Sequence, residues 1–143
     1  MIPKHYFVDS IIQERKPLSN NARRAGWIGC NILLQNIPST GKIFLIKNGR
    51  VENKSNVIAT WSKTAFIGKQ KLESRGWAIE ILNLIEKISE NEFNLNQMYS
   101  FEGLLKKKFP NNNFIKDKIR QQLQVLRDKG LLEFKGNGIY RKI

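Results

Sequence analysis

Residues 113–142 read NFIKDKIRQQLQVLRDKGLLEFKGNGIYRK, and the spacing inside this stretch decides the fold of the C-terminal half. Ile115, Ile119, Leu123 and Leu126 stand at offsets 0, 4, 8 and 11, the repeat of one apolar face of an α-helix. Gly130 follows, where a helix C-cap favours a residue free to adopt positive φ. Residues 131–135 and 139–142 then flank Gly136-Asn137-Gly138, three residues that tolerate the left-handed backbone of a hairpin tip. The stretch therefore predicts an amphipathic helix running directly into a short β-hairpin.

Projected at about 100° per residue, the four apolar side chains fall within about 80° of arc. Arg120, Gln121, Gln124 and Asp117 point the other way. Arg can fork onto the two major-groove acceptors of guanine, and Gln can both donate to and accept from the edge of adenine. Arg120, Gln121 and Gln124 are the base-reading candidates. Lys116, Lys118 and Arg127 flank that face and are expected to position the helix on phosphates rather than to specify sequence. The hairpin adds Lys135, Asn137 and Arg141 as further backbone contacts, although Arg141 can instead pair with Glu133. An ordinary solvated helix face is the plainer alternative for each residue taken singly.

Working upstream, Ile81, Leu82, Leu84, Ile85 and Ile88 form one broad stripe at helical spacing, predicting a first helix over residues 75–89. Asn94 precedes Leu95, Met98, Phe101, Leu104 and Leu105 and suits the N-cap of a second helix, which Pro110 must end. Three helices followed by a hairpin is the order of a winged helix. Trp77, Leu132, Phe134 and Tyr140 read as core residues that pack the hairpin onto the helices.

The first half is less regular. Short apolar runs at residues 6–8, 11–12, 32–34 and 43–46 read as strands, and Asn48-Gly49 supplies the turn of a hairpin whose return begins at Arg50-Val51. Residues 19–29 read as a shaped loop, and residues 62–73, polar and basic around Gly68, read as a linker.

The 143 residues hold 25 Lys and Arg against 12 Asp and Glu, a formal net charge of +13. A polyanionic partner follows from an excess this large, and both halves share it: residues 1–73 have 12 basic and 4 acidic side chains, residues 74–143 have 13 and 8. No apolar run is long enough to span a membrane, so a cytoplasmic protein is expected. A single cysteine, Cys30, and a single histidine, His5, rule out a zinc site built on several thiolates.

Four strings in this chain are Arg23-Arg24-Ala25-Gly26-Trp27-Ile28-Gly29-Cys30-Asn31, Ser74-Arg75-Gly76-Trp77, Lys118-Ile119-Arg120-Gln121-Gln122-Leu123-Gln124 and Glu133-Phe134-Lys135-Gly136. In this order and spacing the chain resembles the DpnI family of methyl-directed type II restriction endonucleases, essentially from Ile2 onward. The resemblance implies binding of double-stranded DNA at GATC containing 6-methyladenine, read by a winged helix and separately by a pocket in the nuclease domain. It implies a methyladenine pocket at Arg23, Arg24 and Trp27, with Trp27 facing the methyl group and the two arginines near phosphates. A methyl group offers only apolar area, which an indole face suits. Read without the family, Trp27 beside two glycines is better taken as a core residue, and the family match reverses that balance.

The same resemblance implies an α+β chain: a partial α/β remnant of a PD-(D/E)xK nuclease domain at residues 1–73, then a winged helix at residues 74–143 that is expected to fold independently. Relative to the family, the chain starts downstream of the nuclease signature and of a cysteine-rich zinc segment. Mg2+ and structural Zn2+ are therefore expected only for a full-length member, and no cofactor for this chain. Two triplets of ExK order, Glu14-Arg15-Lys16 after Asp9 and Glu52-Asn53-Lys54, arise easily in a lysine-rich chain and are weak nuclease candidates. The expectation is a monomeric, methyl-GATC-binding fragment without catalytic residues. An enzyme completed by a missing N-terminal nuclease segment, and a winged-helix transcriptional regulator, stand as alternatives.

Overall fold

A computed structural model describes residues 1–143. The repeat of Ile115, Ile119, Leu123 and Leu126 places all four in the core, on the helix Ile115–Asp128. Each such side chain contributes about 1.5–3 kcal/mol on burial, so the face of this helix is set by its sequence. Gly130 caps it with φ 71° and its N–H bonds to the carbonyl of Arg127.

In chain order, the front segment contains β1 (Ile12–Glu14) paired antiparallel with β2 (Cys30–Ile32), then the hairpin β3 (Ile46–Lys47) and β4 (Arg50–Val51), then helix α1 (Lys54–Thr64). Four 3-10 turns, Lys4–Tyr6, Asp9–Ile11, Leu34–Asn36 and Ser39–Gly41, occupy much of the remainder. The Asn48-Gly49 hairpin forms as read, with φ of 51° and 76°. The other runs are mostly not strands: Tyr6 lies in a 3-10 turn and only Ile46 of residues 43–46 pairs. These apolar side chains are buried singly, as at Tyr6, Val8 and Ile43, instead of alternating along a strand.

Residues 62–73 are not a linker. They hold the end of α1, a 3-10 turn at Ala65–Lys69 and the start of α2 (Leu72–Lys87). Thr64 and Ile67 are buried. Gly68 lies beside His5, 3.4 Å from its Nδ1 to an ideal Cβ, so the segment is packed where its composition suggested flexibility. Helix α1 itself was not anticipated; Asn53 caps it, accepting from the Ser55 N–H at 2.9 Å, but Ile58 and Trp61 on it are exposed and leave no apolar stripe.

The second half follows helix, strand, helix, helix, hairpin. After α2 comes β5 (Glu92–Asn94), unforeseen because its three residues have a single buried member, Phe93. Asn94 caps the next helix as read, and Gln97 completes a reciprocal capping box. That helix is split into α3 (Leu95–Tyr99) and α4 (Glu102–Lys108). Ser100 Oγ turns back to the carbonyl of Gln97 at 2.6 Å, a local bond that competes with helix continuation. Helix α5 (Ile115–Asp128) follows, then β6 (Leu132–Gly136) and β7 (Ile139–Lys142), in a sheet of order β5-β7-β6. Trp77, Leu132 and Tyr140 are buried as expected. Phe134 is not: it is 43% exposed, its ring tilted against Tyr140 with centroids 5.1 Å apart.

One apolar cluster of 23 residues runs through both segments, joining Tyr6, Val8, Ile11, Ile37 and Ile67 to the helices and hairpin of the second half. Helix α2 lies at its centre, with eight buried residues.

Candidate nucleic-acid interface

On α5, Arg120, Gln121 and Gln124 are all exposed, opposite the four buried apolar residues. Gln122, between them in sequence, is buried and belongs to the inner face. Arg120 Nε donates to the hydroxyl of Tyr99 on α3, and its guanidinium stands 5.6 Å from the centroid of the same ring. Lys116 Nζ lies 5.5 Å from that ring and 3.5 Å from a carboxylate oxygen of Glu102. Lys118 is half-buried. Arg127 is engaged by its neighbour Asp128, Nη2 to Oδ1 at 2.8 Å. The structure thus draws Arg120 and Lys116 together beside Tyr99, a residue that the apolar spacing of the second helix left unmarked.

In the hairpin, Asn137 is at the tip with φ 49°, between Gly136 and Gly138 at 92° and 74°. The Gly138 carbonyl accepts from the Leu95 N–H at 3.0 Å, which ties the tip to the start of α3. Lys135 and Arg141 converge on Glu133; Lys135 Nζ is 3.3 Å from Oε1, and Arg141 bonds to Oε2. Hydrogen bonds from Arg141 and then Lys135 hold the Glu133 carboxyl below its usual range. Beneath the sheet, burial pushes the Tyr140 hydroxyl upward in pKa, opposed by the positive charge of Arg127.

A second exposed group lies in the front segment. Ribbon β1–β2 is closed by the bond from Arg15 N–H to the Gly29 carbonyl, 2.9 Å, and it presents the loop bearing Arg23, Arg24 and Trp27. All three are exposed, so Trp27 is not a core residue. Its indole lies against Gly29: a Cβ there would stand 2.1 Å from ring atom Cη2. The cation over this indole is Arg15, 5.9 Å from the centroid, rather than Arg23 or Arg24. Arg15 is the residue that reading by string missed, since only strand pairing brings it beside Trp27.

Neither ExK triplet is gathered with other donors, and no three His, Cys, Asp or Glu side chains stand together as a metal site. Asn53 of the second triplet is the α1 cap. No helix is long and apolar enough to cross a membrane.

Comparison with known families matches the chain in two parts. Residues 73–142, which hold all but the first residue of α2, then α3 to α5 and the hairpin, match the Dam-replacing HTH domain of DpnI. Residues 1–70, with the Trp27 loop, match the Dam-replacing family, DpnI. A helix-turn-helix with an exposed, cation-bearing second helix binds DNA, and the chain belongs to the DpnI, Dam-replacing family with DNA as its partner.

Proposed function

We propose that the chain binds double-stranded DNA at GATC containing 6-methyladenine, as a monomer and without cutting it. The observation supporting base recognition is the two-sided α5: its apolar side is locked in the core, which aims Arg120, Gln121 and Gln124 outward together. Lys116, Lys118, Arg127, Lys135, Asn137 and Arg141 hold flanking phosphates in this reading. The front loop supplies the methyl reader, Trp27, whose half-exposed indole rests on Gly29, with Arg23 and Arg24 at nearby phosphates.

The test is direct binding of the purified chain to duplexes with GATC fully methylated, unmethylated or permuted. Arg120→Ala is expected to weaken binding to the methylated site by about 1–3 kcal/mol and to relax sequence choice. Lys116→Ala is expected to weaken every duplex alike and to flatten the salt dependence. Equal losses on site and non-site DNA for Arg120→Ala would remove it from the base-reading set.

A second reading, cleavage together with a nuclease segment, is favoured by one feature. An open apolar groove of about 420 Å³ is lined by Met1, Ile2, Leu34 and residues 42–46, a surface such a segment would cover. Metal-dependent cutting of methylated duplex by this chain alone would overturn the binding-only reading.

A further inference from the structure

Tyr99 lies on α3, outside the proposed base-reading helix, yet it restrains two of that helix's cations. Its hydroxyl accepts from Arg120 Nε, which leaves the guanidinium at the hydroxyl edge of the ring, 5.6 Å from the centroid, and Lys116 Nζ lies 5.5 Å from the same centroid. The hydrogen bond from Nε fixes the far end of the long Arg120 side chain. Tyr99 is itself held: it is half-buried against the apolar core, on a helix that starts with a reciprocal capping box. A free arginine loses its rotamer freedom only on binding, whereas one already oriented loses less.

We propose that Tyr99 is a specificity-determining positioning residue that presents Arg120 to a guanine. With Nε committed to the Tyr99 hydroxyl, the two terminal Nη groups remain as a planar donor pair, the pattern that matches the O6 and N7 acceptors of guanine in the major groove. The first helix of the helix-turn-helix thereby sets the aim of the second, instead of only bracing it. This inference rests on the assignment of Arg120 as a base reader, and its test separates the two.

The full chain, Tyr99→Phe, Arg120→Ala and the double variant are titrated with a duplex bearing fully methylated GATC and with the same duplex in which the guanines of that site are changed to adenines, with complementary partners. The phenylalanine keeps the ring and removes the acceptor. Tyr99→Phe is expected to lower the preference for the guanine-containing site about fivefold, with unchanged affinity for the altered duplex and an unchanged Tm. The double variant is expected to match Arg120→Ala, because the hydroxyl acts through the guanidinium. Loss of preference in Arg120→Ala with full preference in Tyr99→Phe overturns the positioning role and leaves the base reader standing. Equal weakening of both duplexes by Tyr99→Phe marks a merely structural tyrosine and also overturns it. Undiminished preference in Arg120→Ala removes the base-reading assignment, and the positioning role with it.

Discussion

At the scale of single residues, two environments set measurable behaviour. Gly29 is buried under the Trp27 indole, and any side chain there enters space held by the ring, 2.1 Å from its Cη2 atom. The ring is half-exposed and can swing outward, so Gly29→Ala is expected to leave Tm nearly unchanged. The proposed methyl contact is then lost, reducing the preference for methylated over unmethylated GATC by about fourfold, equivalent to about 0.8 kcal/mol for one buried carbon. Paired titrations of the two duplexes measure it, and an unaltered ratio would count against Trp27 as the methyl reader. His5 is the other case. It is buried, its Nε2 has no partner, and burial followed by the Arg75 charge lowers its pKa from 6.5. The unfolded state therefore binds a proton that the folded state refuses between the lowered value and 6.5, and stability rises with pH across that interval. Tm is expected to fall on acidification from pH 7 through 6.5, and His5→Gln to flatten that slope; a slope identical in both proteins would refute the assignment.

At the scale of elements, the hairpin is restrained by its own acid. Glu133 accepts from both Lys135 and Arg141, which lowers the positive charge that the strands present to phosphate. Glu133→Gln removes one negative charge and releases both cations, so affinity for duplexes of any sequence is expected to rise and the salt dependence to steepen by about one to two ions. Titrations at several salt concentrations measure this, and an unchanged slope would show that the hairpin cations lie off the DNA. The elements themselves were unequally legible. Helix α5 could be read to within two residues because four apolar positions serve one buried face. Strand β5 could not be, because Phe93 is its sole buried residue and its pairing partner Tyr140 is remote in sequence. The break between α3 and α4 was equally hidden: Ser100 and Phe101 continue an acceptable helical pattern, and only the bond of Ser100 to Gln97 reveals the stop. The exposed site residues of α5 were legible as the complement of its core face, but Tyr99 and Arg15 were not, since each acquires its neighbour only through tertiary packing.

At the scale of the whole molecule, α2 gives the two segments one shared core. Its sequence from Trp77 to Leu82 is buried at every position, Glu80 included, and Glu80 is neutralised by Lys108 at 2.6 Å. A helix buried around its circumference needs covering on more than one side. The helices and hairpin of the second half cover one side. The front segment covers another, where Asn83 Nδ2 donates to the Asn36 carbonyl at 2.6 Å and the Glu86 carboxylate accepts from the Ser39 N–H at 2.8 Å and from its hydroxyl at 2.7 Å. The broad apolar stripe seen in the sequence is thus two interfaces on one helix, and a boundary drawn by family or composition near residue 72 runs through a shared core. A single unfolding transition is expected for the full chain, with tryptophan fluorescence and far-UV circular dichroism superimposing. Glu86→Ala is expected to lower stability by about 1 kcal/mol, since the carboxylate is exposed and its bonds compete with water. A fragment of residues 72–143 is expected to be less stable than the full chain, because one side of α2 would face solvent. Two resolved transitions, or a fragment as stable as the parent, would show that the front segment rests on α2 without stabilising it, and that the DNA-reading half stands alone.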